Sequence, residues 1–88
     1  MLPPSLKKFQ FTRLIKAHGR LREFNFLRHN VKPAGYYSVD TVDDRYNRII
    51  FTMYDEKGIW KIQEKPGLPV WMRDVEHQLH EMIMEQES

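Results

Sequence analysis

The stretch VEHQLHEMI, residues 75–83, holds the side chains best suited to chemistry: His77 and His80, with Glu76 and Glu81 beside them. Imidazoles three residues apart are neighbours on a helix and could share a divalent metal, or work with a carboxylate as acid and base. The helical zinc signature, however, sets its histidines four apart around a glutamate, and Arg73 lies between the two histidine directions as a fixed cation. No third ligand is implied beyond Glu76 or Glu81. The same groups form Glu76–His80 and His77–Glu81 pairs at i, i+4, as solvated helix faces commonly do. The spacing predicts a helix back, with no metal and no cofactor.

Other reactive groups are scattered. Asp40, Asp43 and Asp44 flank a turn, where carboxylates usually accept nearby backbone N–H groups. Ser5 and Ser38 have no histidine nearby and no strand–turn–helix context for a nucleophile elbow. The four glycines form no phosphate-cradling loop. With no cysteine, disulfides and zinc–thiolate sites are excluded. No enzyme is indicated.

The elements that must carry these residues follow from periodicity. Up to about residue 63 the apolar residues alternate with period two. KFQFTRLIKA reads as a strand, and His18-Gly19 as a two-residue hairpin loop. That loop sets Phe11 opposite Phe26, a favourable aromatic pair, and Arg13 opposite Phe24, a less comfortable one. RLREFNFLRHN puts Phe24 and Phe26 on one face and Leu21 and Leu27 on the other. After the NVKPAG loop, YYSVDTV, RIIFTMY and IWKIQ continue as short strands, separated by DDRYN and DEKG, with Gly58 where left-handed geometry is needed.

The period changes after EKPGLP. Pro69 suits a first helical turn. Trp71, Met72, Val75, Leu79, Met82 and Ile83 then form one apolar stripe. Relative to that stripe His77 lies at about 180° and His80 at about 120°, so both should face solvent or a partner. The expected fold is α+β: a five-stranded antiparallel β-meander over 7–63, with one C-terminal amphipathic helix over 69–86 packed on one face. Residues 1–6 form an exposed arm of a single 88-residue, 10.7 kDa domain. MLPPSLKKFQF has no apolar signal-peptide core and no run approaches a membrane span, so a cytoplasmic location is expected.

Charge is unevenly spread. Residues 1–34 hold eight basic side chains against Glu23 alone, a net +7; residues 35–88 hold six basic and eleven acidic, a net −5. Such asymmetry fits an anionic partner, association between copies, or neutralisation within one fold. Basic and aromatic residues alternate in the first hairpin, as in single-stranded nucleic-acid binders. If its phenylalanines are core, the contacts left are Lys8, Lys16, Arg20 and Lys32. A second surface is the sheet face away from the helix, where Leu14, Leu21, Leu27, Ile50 and Tyr54 fall on the polar parity. An apolar patch on such a face usually marks an interface, whereas scattered exposed apolar residues are normal.

Taken together, NRIIFTMYDEKGIWKI and LPVWMRDVEHQLHEMI resemble a group of small, uncharacterised bacterial proteins. That group pairs a turn and strand, a "G-x-W-x-I" strand and an "L-P-x-W" helix start. The resemblance covers about residues 36–83 and rests on structural positions: Trp60, Pro69, Trp71, Leu79 and Ile83. Tyr46 departs from it, standing where a glycine would suit the turn. The resemblance implies the fold and no activity. At topology level alone, sheet followed by helix is similar to single-stranded DNA binders of the positive-cofactor-four and Whirly type. The leading expectation is a non-catalytic interaction domain, homodimeric or bound to another protein. The alternative is a single-stranded nucleic-acid-binding module using the basic hairpin.

Overall fold

A computed structural model of the chain describes residues 10–31 and 34–88. Five strands run β1 (Gln10–Ala17), β2 (Arg20–His29), β3 (Tyr36–Val42), β4 (Arg48–Glu56) and β5 (Ile59–Ile62), followed by helix α1 (Met72–Glu87). The strands form one antiparallel sheet in the order β1-β2-β3-β4-β5, a meander. The fold is α+β, as the periodicity predicts. The expected arm, 1–6, with Lys8 and Lys32, lies outside the described residues.

Turn chemistry fixes the registers. His18 and Gly19 both take positive φ, 52° and 81°, as a two-residue type I′ turn requires. Ala17 then pairs with Arg20, and counting back sets Phe11 against Phe26 and Arg13 against Phe24. The Phe11 and Phe26 rings stack at 4.4 Å. Lys57 and Gly58, at 55° and 91°, close β4–β5 the same way. Between β3 and β4, Tyr46 donates its N–H to the Asp43 carbonyl and sits at φ 66°, completing a type I turn with a left-handed residue. A left-handed residue there is one that glycine would adopt without strain.

The sheet curls around α1, which contacts β5 on one flank and β1 on the other. The concave face supplies Ile15, Phe24, Phe26, Tyr37, Val39, Phe51, Met53 and Trp60; Trp71, Met72, Val75, Leu79 and Ile83 meet them, with Phe11 and Met82 partly buried at the margin. Helix α1 begins at Met72, three residues beyond Pro69, because the Pro69 carbonyl accepts the Met72 N–H in a preceding tight turn.

His80 requires a correction. The helical wheel predicts that it faces solvent, paired with Glu76, yet it is 9% exposed. A flat sheet would bury only the helix stripe. The curled sheet brings β5 up the helix flank and widens the buried arc to include His80.

Among the described residues, no helix is long and apolar enough to cross a membrane.

Candidate functional site

The two sheet edges are finished differently. In a two-residue hairpin the residues flanking the turn bond to each other, and along each strand backbone groups alternate inward and outward. Counting from Ile59, the N–H groups of Trp60 and Ile62 point off the β5 edge. Both are terminated by α1: Trp60 donates to Nδ1 of His80 at 3.1 Å, and Ile62 to the Glu76 carboxylate at 2.7 Å. Counting from Ala17, the outward groups of β1 belong to Gln10, Thr12, Leu14 and Lys16. Among the described residues the one side-chain bond to that edge is from Arg13 to the Thr12 carbonyl, 3.1 Å.

The outer face of the sheet carries Leu14, Leu21, Leu27, Ile50 and Tyr54, all 41–64% exposed, as their parity predicts. They do not form one continuous patch. A polar ladder divides them: Thr12 donates to Asn25 (2.7 Å), Asn25 to Asp40 (3.0 Å) and Arg48 to Asp40 (3.1 Å). Leu14 and Leu21 lie diagonally across the β1–β2 ladder on one side; Leu27 and Tyr54 lie beyond the ladder on the other, where His29 stacks on Tyr36 at 4.5 Å.

The basic hairpin is largely engaged by the acidic remainder of the chain. Arg20 and Arg22 both bond Asp44, at 3.1 and 2.9 Å; Arg28 bonds Glu87; Arg13 lies 3.6 Å from Glu85. Arg22 is buried, stacks 4.2 Å from the Trp71 ring and donates to the Ala17 carbonyl. Arg13 avoids the awkward pairing with Phe24 by lying over Phe11 and reaching Gln86. These guanidiniums hold the Asp44 carboxyl below its usual range, with Arg22 the stronger influence. Of the four cations singled out from sequence, Arg20 is therefore paired, and Lys16 is exposed on the outer face of β1.

The histidine pair shows no ligand geometry. The His77 and His80 rings are 5.8 Å apart and tilted, His77 bonds Glu81 at 3.0 Å, and His80 is occupied by Trp60. Among the described residues no three His, Asp or Glu side chains group as a metal site. A cleft of about 370 Å³ opens between the β5–α1 loop and the start of α1, lined by Ile62, Leu68, Val70 and Met72. Its polar groups are already partnered, Glu76 with Ile62 and Arg73 with Glu64.

Asp43 does what a turn carboxylate is expected to do, accepting the N–H groups of Arg45 and Asn47 at 2.8 Å each. Those bonds, that of Asn47 first, hold its carboxyl below the usual range. Asp40 and Asp44 bond arginines instead. What sequence reasoning missed is the latch made by Glu76 and His80. Their polar types and helical spacing point outward, and the strand edge that meets them is set by sheet curvature.

No family model, curated protein or solved structure matches the chain.

Proposed function

We propose that the chain is a small non-catalytic interaction domain that self-associates. The observation supporting this is the outer sheet face, where Leu14, Leu21, Leu27, Ile50 and Tyr54 stay exposed. The concave face is filled by the chain's own helix, so a partner meets the outer face or an edge. The motif resemblance would place the domain among small bacterial proteins, and a cysteine-free chain suits a cytoplasmic setting. The nucleic-acid reading is second, because Arg13, Arg20, Arg22 and Arg28 already hold acidic partners within the fold.

Size-exclusion chromatography with light scattering separates the two. At about 0.15 M salt, where exposed charges are screened beyond roughly 8 Å, the chain should elute at twice 10.7 kDa and leave a short single-stranded oligonucleotide unbound. A monomer that binds the oligonucleotide, with affinity falling steeply as salt rises, would reverse the order.

A further inference from the structure

We infer that the interface is the open edge of β1, paired antiparallel with β1 of a second copy to make one continuous ten-stranded sheet. This rests on the self-associating reading above and names the surface and occupant it leaves open.

The case begins with the contrast between edges. An unpaired strand edge is a template for another strand, and folded proteins cover or disrupt such edges. Here β5 is closed at both its outward N–H groups by His80 and Glu76. β1 is eight residues long, contains no proline, and has no bulge in its pairing with β2. Its outward N–H groups have no bonded side chain among the described residues.

Self-complementarity then selects the occupant and the register. Two copies of one strand related by a two-fold axis must pair outward residues with outward residues, so the axis passes through a residue rather than between two. An axis at Arg13 would set Arg13 against the partner's Arg13, a like-charge pair that is destabilising. Among the described residues, an axis at Thr12 or Ile15 pairs only five residues of β1, 10–14 or 13–17. An axis at Leu14 keeps seven residues of β1 paired, Phe11–Ala17, and opposes no like charges. It sets Leu14 against the partner's Leu14, Thr12 against the partner's Lys16 and Arg13 against the partner's Ile15.

The exposed side chains fit that axis. Leu14 and Leu21 are 58% and 64% exposed and are diagonal neighbours across the β1–β2 register. Across the axis they join the partner's Leu14 and the partner's Leu21 in an apolar strip that the monomer leaves in water. The Thr12 carbonyl, which already accepts Arg13, keeps a second lone pair for the partner strand.

The test is Leu14→Pro, which removes one outward N–H. Proline is tolerated on an edge strand whose N–H faces outward. Leu14→Ala is the companion variant: it keeps the N–H and removes the leucine contact. Light scattering and circular dichroism are measured on wild type and both variants. The expected result is a wild-type dimer, a folded monomeric Leu14→Pro protein, and a Leu14→Ala dimer weakened at least tenfold. A wild-type monomer at every concentration would refute self-association itself. A wild-type dimer with both variants unchanged would leave self-association standing and overturn the β1 edge as its site. If Leu14→Pro fails to fold, Leu14→Ala decides, and unaltered dimerisation by it overturns the proposal.

Discussion

Trp60 donates its backbone N–H to Nδ1 of His80, 3.1 Å away and twenty residues along the chain. The bond requires a lone pair on Nδ1, so the proton of the neutral ring sits on Nε2. One turn earlier, Glu76 accepts the Ile62 N–H. Two helix side chains thus stand in for the neighbouring strand that β5 lacks, whereas β1 has no such closure among the described residues.

Replacing His80 by Phe keeps a ring of similar size and removes the acceptor. The Trp60 N–H is then buried without a partner, which costs about 1–3 kcal/mol. Urea denaturation should register that loss, and amide exchange at Trp60 should accelerate while exchange in β2 does not. An unchanged midpoint would mean that the bond contributes nothing.

Tyr37 predicts an alkaline limit. Burial, with the bond from its hydroxyl to Glu87 at 2.8 Å, raises its pKa from 10.0 to about 12. A raised folded value stabilises the protonated form. The contribution is therefore complete below pH ~10 and is lost as pH climbs through about 12. The ultraviolet ionisation step that wild type shows as pH passes through about 12 should be missing from Tyr37→Phe. Tyr37→Phe should flatten the alkaline loss of stability.

The acid limit has the opposite sign. Asp43 and Asp44 are held below the usual carboxylate range, by turn N–H groups and by Arg22 respectively. Their stabilisation is present above the unfolded value, near pH ~3.9, and fades as pH falls through the lower folded values. The stability of Asp44→Asn should fall less steeply with decreasing pH below about 4 than that of wild type. An identical acid profile would show that the Arg22–Asp44 bond is not coupled to folding.

Trp71 is 5% exposed, meets Phe24 edge-on at 6.4 Å and carries the buried Arg22 on its face. Trp71→Ala should cost about 3–5 kcal/mol, measurable as a lower denaturant midpoint. Adding zinc to the wild type should leave the melting temperature where it was. A rise of several degrees that His77→Ala abolishes would contradict the account of the histidines.

Much of this arrangement is legible in the residues. His18-Gly19 defines a two-residue loop, and from that the Phe11–Phe26 stack and the faces of Leu21, Phe24, Phe26 and Leu27 follow by counting. The stripe from Trp71 to Ile83 sets the helix phase. Nothing in the residues themselves marks Tyr46 as left-handed, yet its φ is 66°. Periodicity describes a helix about its own axis, though, and carries no information on how far a sheet wraps around it. His80 therefore reads as exposed when β5 covers it. The pairs Arg28–Glu87 and Arg13–Glu85 span 59 and 72 residues. Uneven charge raises such neutralisation as one option, and only the folded geometry chooses the partners.

Amide hydrogen exchange across a concentration series tests the β1 edge most directly. The N–H groups of Thr12, Leu14 and Lys16 should exchange freely in dilute protein and become protected as concentration rises. Those of Arg13 and Ile15, directed at β2, should stay protected throughout, as should Trp60 and Ile62 beneath their helix partners. Free exchange at Thr12, Leu14 and Lys16 at every concentration, in a sample that light scattering shows to be dimeric, would contradict pairing through β1.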